Sequence, residues 1–144
     1  MESFGSFETL INTKEEIFSH TNTDQVVLNK DDGRFARWKK INKHKKITSI
    51  SIFSNADYFI EKTDDEFFYI STPKGIIELI KKNCSEILAI NLLFSIALAM
   101  EAGADIQSVK DGIYSFSGVQ GRFFSFISSN KSIVIDDSYN ANPE

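Results

Sequence analysis

The chain has 144 residues, of which 42% are hydrophobic and 25% are charged, so it is long enough for one domain with a sizeable core. Its net charge of −4 argues against a protein that holds nucleic acid mainly through phosphate contacts. The single cysteine, Cys84, excludes an intramolecular disulfide and a zinc site built from cysteines, and it favours a reducing cytoplasm. The first residues lack the basic-then-apolar pattern of a signal peptide, and the apolar stretch from Ile87 to Met100 is too short to span a bilayer.

The first half of the chain predicts helices and strands in alternation. Apolar residues recur at helical spacing from about Phe7 to Phe18, with Lys14 beside the apolar stripe. Gln25 to Leu28 predicts a short buried strand, followed by a polar loop that is either a ligand-binding strand end or a turn in which Asp32 caps the next helix. The later patterns predict a short basic helix over residues 34–41 and strands over residues 46–54, 57–61, 66–71 and 76–80, the last three forming an antiparallel meander.

The second half predicts two helices and a pair of strands. Residues 85–102 are apolar on nearly every face, which predicts a buried helix with Asn91 as a buried amide. Asp105 is placed to cap the next helix, and a glycine-flanked loop follows at residues 118–123. Residues 123–127 and 132–135 predict two strands joined by a turn. The periodicity as a whole therefore predicts an α/β fold.

A polar string follows the last strand: Asp136-Asp137-Ser138-Tyr139-Asn140-Ala141-Asn142-Pro143. In α/β proteins, ligands bind at the carboxyl ends of strands, which makes this string a candidate site. Composition alone favours an ordinary turn rich in Asp and Asn. The residue types by themselves leave both interpretations open.

The order of residues in this string resembles the signature of the Mur ligase family, in the branch that joins D-alanyl-D-alanine to UDP-N-acetylmuramoyl-tripeptide. In that family the string lies where the central ATPase domain passes into the C-terminal domain. The resemblance implies that residues 1–117 are the second half of a Mur ligase central domain, with parallel strands, helices and a small antiparallel meander. It also implies that residues 118–144 are a linker and the truncated start of a Rossmann-like C-terminal domain.

The string Phe4-Gly5-Ser6, with Lys14-Glu15-Glu16-Ile17-Phe18 after it, resembles the family segment in which a lysine is carbamylated. A lysine amine that burial keeps neutral can add carbon dioxide and become a carboxylate-like anion. Such an anion binds Mg²⁺ through oxygen. The resemblance therefore implies that Lys14 is catalytic and holds Mg²⁺ as a carbamate.

The resemblance also implies a set of residues around the nucleotide. Asn29 begins a loop similar to the Asn-x-Asp-Asp loop that the family places near its active site. Asn91 matches an asparagine that contacts adenine, although Ile87-Leu88 replaces the His-Asn pair that precedes it in the family. The other implied residues are Arg122 and Asp137 against the nucleotide, and Ser138, Tyr139, Asn140 and Asn142 in the wall of the site.

The activity implied by the resemblance is ATP-dependent amide formation in peptidoglycan synthesis, with ATP and Mg²⁺ as cofactors. The substrates of the parent enzyme would be UDP-N-acetylmuramoyl-tripeptide and D-alanyl-D-alanine, with no nucleic-acid or membrane partner. No Gly-x-x-x-x-Gly-Lys-Ser/Thr loop occurs in the chain, so we expect it to be inactive alone and to need N-terminal and P-loop segments of a longer protein. The alternatives are a sister amide ligase, such as another Mur ligase or folylpolyglutamate synthase, and a non-catalytic remnant that serves as an interaction module.

Overall fold

A five-stranded mixed sheet in the order β1-β2-β3-β4-β5 dominates the computed structural model, which describes residues 7–20, 22–81, 86–122 and 124–139. Parallel pairing joins β1 to β2 and β2 to β3, and antiparallel pairing joins β3, β4 and β5. The predicted meander is therefore confirmed. The strands are β1 (Gln25–Asn29), β2 (Lys46–Ser51), β3 (Tyr58–Thr63), β4 (Phe67–Thr72) and β5 (Gly75–Ile80).

Within the described ranges, four α-helices accompany the strands, close to their predicted positions. The first predicted helix ends earlier than expected, because its last turn tightens into a 3₁₀ turn at Glu16–Ser19. Asp105 accepts a hydrogen bond from the backbone N–H of Ser108 at 2.7 Å, which confirms its predicted capping role. The helices are α1 (Phe7–Glu15), α2 (Phe35–Ile41), α3 (Glu86–Glu101) and α4 (Ile106–Ser115).

The chain divides into two units, Met1–Lys110 and Asp111–Glu144. The second unit contains the antiparallel pair β6 (Phe124–Ile127) and β7 (Ile133–Asp136), joined by a turn as predicted. The domain boundary between residues 117 and 118, which the resemblance implies, stays a prediction. No helix in the described ranges has the length and hydropathy needed to cross a membrane.

The core of the first unit lies between the sheet and one side of α3. Buried side chains of α3 include those of Ala89, Leu93, Ile96, Ala97 and Met100. The prediction that α3 is buried on nearly every face is wrong, since Leu98 is 57% exposed and Asn91 is also exposed. The physical reason is that the described residues cover only one side of this apolar helix. Asn91 is therefore not the buried amide that the sequence predicted.

The end of α3 is attached to the sheet through the carboxylate of Glu101. The hydroxyl of Tyr58, a residue only 2% exposed, donates a hydrogen bond to Glu101 Oε1 at 3.2 Å. Lys46 forms an ion pair with the other carboxylate oxygen. The hydrogen bond from Lys46 holds the pKa of Glu101 below its ordinary value. Burial first, and then the negative charge of Glu101, raise the pKa of the Tyr58 hydroxyl to about 12. The carboxylate thus joins α3 to the first residues of β2 and β3.

We expect Glu101→Gln to lower the free energy of unfolding by about 1–2 kcal/mol at neutral pH, because Lys46 loses its anionic partner. The folded-state pKa of Glu101 lies below the unfolded value. Its carboxylate therefore stabilises the fold above the unfolded pKa, and this contribution is lost as the pH falls through the folded pKa. Denaturant unfolding of both proteins across this pH range should show the difference shrinking in acid. Glu61→Gln, at an exposed position of β3, is the matched control and should have little effect. A difference that stays constant in acid would contradict the assignment.

Candidate functional site

The loop after β1 is held against the end of β2 by Asp31. Its carboxylate accepts hydrogen bonds from Ser51 Oγ at 2.5 Å and from the backbone N–H of Ile52 at 2.7 Å. The side chain of Asn29 accepts a hydrogen bond from the backbone N–H of Asp31 at 3.0 Å. Because β1 and β2 are parallel, their carboxyl ends share one edge of the sheet, where ligands bind in α/β proteins. Asn29 therefore lies at the kind of edge that the sequence predicted.

Asp31 is a residue whose role the sequence analysis missed. The polar loop was recognised, but it contains two adjacent carboxylates whose partners only the fold supplies. Asp32 has a different task, since its Oδ1 accepts a hydrogen bond from the backbone N–H of Arg34 at 2.8 Å in the turn before α2. A carboxylate placed soon after a buried strand was the available signal, because strand ends leave backbone N–H groups that need acceptors.

Lys14 lies in α1 and its side chain is exposed. Within the described part of the chain, the structure shows no hydrogen bond or ion pair to its ammonium group. Carbamylation is favoured when burial keeps the lysine amine neutral, and the described residues do not provide that burial. Its neighbour Glu15 is bound by Arg37, with 2.7 Å between Glu15 Oε1 and Arg37 Nε. The structure therefore fixes the helix that carries Lys14 and leaves the lysine itself open to solvent.

Asn91 lies in the middle of α3, with its amide exposed. Its backbone carbonyl accepts a hydrogen bond from Ser95 Oγ at 2.9 Å, one turn further along the helix. The side chain is therefore accessible to a ligand. Asn29, Lys14 and Asn91 thus lie on three different elements of the first unit, which are β1, α1 and α3.

The glycine-flanked loop of the second unit packs against the end of β7. Gly121 is buried, and the distance from its carbonyl oxygen to the backbone nitrogen of Tyr139 is 2.9 Å. Its φ of +78° is a left-handed conformation that favours glycine. A Cβ at this position would lie 3.3 Å from Tyr139 Cβ and 3.6 Å from Ser138 Oγ. The close approach of these two segments therefore depends on the absence of a side chain.

Arg122 lies beside this contact, with its guanidinium carbon 4.2 Å from the centre of the Tyr139 ring. This distance is that of a cation–π interaction, which is weak when both groups are exposed, as they are here. Three residues predicted for the site, Arg122, Ser138 and Tyr139, are thus brought together. Asp137 is exposed and follows β7 directly. The predicted site residues Asn140 and Asn142 lie outside the described residues.

Asp136 is the second residue that the sequence analysis missed. Its Oδ1 accepts hydrogen bonds from Ser138 Oγ at 2.6 Å and from the Ser138 backbone N–H at 3.2 Å. Its Oδ2 accepts a hydrogen bond from the backbone N–H of Gly121 at 3.2 Å. These bonds, those from Ser138 first, hold the pKa of Asp136 below its ordinary value. The first carboxylate of the Asp-Asp pair therefore organises the loop.

A shallow depression elsewhere in the first unit lies between β1, β2 and the end of α3. It borders the first residues of β1, whereas Asn29 is at the other end of that strand. Glu101, the acidic residue in its lining, is already engaged by Lys46 and Tyr58. We therefore assign the candidate site to the loops and not to this depression.

Comparison with known proteins gives the family context for these positions. The chain matches the Mur ligase middle domain family over residues 1–99, which include Lys14, Asn29 and Asn91. A UDP-N-acetylmuramoyl-tripeptide–D-alanyl-D-alanine ligase of Haemophilus influenzae is 30% identical over 100% of this chain. The matched part is 32% of that relative, so the chain spans about a third of its length.

Solved structures show the same fold. A crystal structure of MurF from Acinetobacter baumannii matches with a TM-score of 0.80 at 24% identity, covering 97% of this chain and 31% of that one. The MurF ligase of Thermotoga maritima, solved in complex with ADP, matches with a TM-score of 0.72 at 20% identity, covering 97% of this chain and 33% of that one. These matches confirm the predicted α/β architecture. With the family model matched over more than half of its residues, the chain belongs to the Mur ligase family.

Proposed function

We propose that this chain is part of an ATP-dependent ligase that joins D-alanyl-D-alanine to UDP-N-acetylmuramoyl-tripeptide in peptidoglycan synthesis. The observation that carries the proposal is the contact between Gly121-Arg122 and Ser138-Tyr139. These two segments belong to the strings that resemble the nucleotide-contacting motifs of the family, and the fold places them side by side. The match of this chain to about a third of a relative named for this reaction supports the same choice.

The proposed reaction forms an amide in two steps. The terminal carboxylate of the tripeptide attacks the γ-phosphorus of ATP, which yields an acyl phosphate and releases ADP. The amine of D-alanyl-D-alanine then attacks the acyl carbon, loses a proton, and gives a tetrahedral intermediate that expels inorganic phosphate. Catalysis of such phosphoryl transfer is mostly positioning and stabilisation of charge, and Mg²⁺ would neutralise charge between the phosphate oxygens.

The residues of this chain would bind and orient the nucleotide. Arg122 offers a planar, permanently charged donor to phosphate or ribose oxygens, and Asp137 offers an acceptor to hydroxyl groups. Asn91, with its exposed amide, can both donate and accept at the edge of adenine. The wall of the site would consist of Asn29, Ser138, Tyr139, Asn140 and Asn142.

Lys14 would hold Mg²⁺ as a carbamate. Among the described residues, no group of three or more His, Cys, Asp or Glu side chains is arranged to hold a metal ion. Mg²⁺ commonly takes only one or two carboxylate ligands from a protein and completes its shell with water and phosphate oxygens. A carbamate on Lys14 would match that donor set. Because the described residues leave Lys14 exposed, the burial that favours its neutral amine would come from the P-loop segments of the parent protein.

The activity would require more protein than this chain provides. Without a Gly-x-x-x-x-Gly-Lys-Ser/Thr loop to hold the triphosphate, we expect the chain alone to bind ATP weakly and to be inactive. The partners would be the N-terminal and P-loop segments of the parent protein. The single cysteine supports a cytoplasmic location.

The direct test is phosphate release by the full-length protein that contains this chain. We expect release to require ATP, Mg²⁺, UDP-N-acetylmuramoyl-tripeptide and D-alanyl-D-alanine together. Release that instead requires another amino acid or glutamate would assign the protein to a sister ligase. No release with any acceptor would favour a non-catalytic remnant and overturn the proposal.

We expect Lys14→Ala to lower kcat of the full-length ligase by about 100-fold or more, because a metal ligand contributes several kcal/mol to stabilising charge in the transition state. Lys43→Ala removes an equally exposed lysine from the turn after α2 and is the matched control. Steady-state phosphate release would measure both variants. Unchanged kcat in Lys14→Ala would refute the metal role.

We expect Gly121→Ala to weaken ADP binding about tenfold, because the new Cβ must accept a φ of +78° and crowd Tyr139. Gly112→Ala is the control from the same unit, since apart from its chain neighbours and its own helix backbone no described atom lies within 4 Å of its Cβ position, and alanine favours its helix. Calorimetric titration of ADP into the full-length variants would measure the affinities. Equal affinities would show that the Gly121 contact does not position the nucleotide site.

A further inference from the structure

One face of α1 carries three polar side chains that a single arginine binds. Glu8, Asn12 and Glu15 follow each other at spacings of four and three residues, which places them on the same side of a helix. Arg37 donates to Glu8 at 2.9 Å, to Asn12 at 3.1 Å and to the two carboxylate oxygens of Glu15 at 2.7 and 2.9 Å. One guanidinium therefore fixes two turns of α1.

The next residue of α2 adds a second attachment. Trp38 Nε1 donates a hydrogen bond to Glu15 Oε1 at 3.0 Å. The Trp38 ring also meets the edge of Phe18 in the 3₁₀ turn, with 6.2 Å between ring centres. Exposed ion pairs contribute little, but the Glu15 side chain is only 14% exposed and is bound by Arg37 through both oxygens. The ion pair between Arg37 and Glu15 is therefore stronger than an ordinary exposed ion pair.

Arg37 binds one face of α1, formed by Glu8, Asn12 and Glu15, and this contact sets the direction in which Lys14 leaves the helix. Successive residues of an α-helix are about 100° apart, so Lys14 points away from the face that Arg37 binds. The lysine is exposed, and the structure shows no polar contact to its ammonium group within the described ranges. Its position therefore depends on how α1 itself is held.

The same contacts connect α1 to the loop that carries Asn29. That loop turns directly into α2, with Asp32 accepting hydrogen bonds from Arg34 N at 2.8 Å and, through its carbonyl, from Phe35 N at 2.9 Å. Arg37, one turn later, then reaches α1. The helix that carries Lys14 and the loop that follows Asn29 are thus connected to each other through α2.

We propose that Arg37 and Trp38 are positioning residues for Lys14, an inference that rests on the proposed function. The Lys14 ammonium loses a proton, the neutral nitrogen attacks the carbon of carbon dioxide, and a second proton leaves, which yields a carbamate with a charge of −1. The N–C bond forms as one C=O π bond opens. By fixing the helix, Arg37 and Trp38 hold this group where a metal ion can reach it.

The test uses Arg37→Ala and Trp38→Phe in the full-length protein. The first readout is the carbamate signal in ¹³C NMR after addition of labelled bicarbonate, without substrates, and Lys14→Ala identifies the signal. The second is the Mg²⁺ concentration that gives half-maximal activity. We expect Arg37→Ala to decrease the carbamate signal and to raise this concentration about tenfold, the usual cost of losing a group that orients a metal ligand. We expect Trp38→Phe to have a smaller effect, because it keeps the ring and loses only the N–H donor.

Lys46→Ala is the matched control, because it removes an ion pair on another element of the same unit. It should lower thermal stability while leaving the carbamate signal and the Mg²⁺ dependence unchanged. Excess bicarbonate should restore part of the ligase activity that Arg37→Ala loses. If Lys46→Ala lowers the activity at all, bicarbonate should not restore it. If Arg37→Ala and Trp38→Phe both behave like Lys46→Ala in both readouts, the positioning role is overturned.

The carbamate readout separates failure of this inference from failure of the proposed function. A protein with no ligase activity but an Arg37-dependent carbamate signal would refute the function and keep the positioning role. An active ligase whose carbamate signal is unaffected by either α2 residue would keep the function and refute the positioning role. An unaltered protein without any Lys14-dependent carbamate would refute both the metal role of Lys14 and this inference.

Discussion

The carboxylate of Asp31 is the connection that fixes the loop between Asn29 and α2 against the end of β2. The parallel ladder between β1 and β2 ends at Asn29 and Ile50, and Ile52 lies beyond it. Asp31 accepts hydrogen bonds from the backbone N–H of Ile52 and from the hydroxyl of Ser51, which attach the loop after β1 to the end of β2. A buried donor without an acceptor would cost about 1–3 kcal/mol, which makes other paths unfavourable. The loop leads directly into α2, and Arg37 and Trp38 of α2 bind α1, so the contacts of Asp31 are the first of a series that links β2, α2 and α1.

The second unit uses the same physical device at the end of β7. Asp136 accepts two hydrogen bonds from Ser138 and one from the backbone of Gly121, and it thereby closes the loop onto the strand end. Both cases place a carboxylate at the end of a strand or just past it, where backbone N–H groups lose their ladder partners. The first carboxylate of the Asp-Asp pair therefore serves the fold. The assignment of Asp137 to the nucleotide stays part of the proposed function.

The order of helices and strands could be predicted because it depends on local periodicity and turn residues, and the meander and the β6–β7 pair were predicted for this reason. Strand β2 ends at Ser51, earlier than predicted, because Ser51 Oγ accepts the backbone N–H groups of Phe53 and Ser54 and turns the chain. The burial of α3 could not be predicted, since an apolar helix does not reveal how many of its faces are covered. The role of Asp31 was missed for a related reason, because its partners Ser51 and Ile52 are distant in sequence. The bond between Asp136 and the backbone of Gly121 was missed for the same reason. The contacts of the candidate site with ligand stay predictions.

The β6–β7 hairpin sets a limit on how firmly the Arg122–Tyr139 contact is held. Ile127 and Ile133 are direct cross-strand partners, and both are 74% exposed. An isolated two-stranded hairpin is at best marginally stable in water, so burial within the described residues contributes little to fixing the end of β7. A ligand that binds only the closed arrangement stabilises it in proportion to its concentration over its dissociation constant. If the nucleotide contacts Arg122 as we propose, its affinity and the order of the hairpin are linked. Changes that loosen the hairpin must then weaken nucleotide binding without touching the nucleotide.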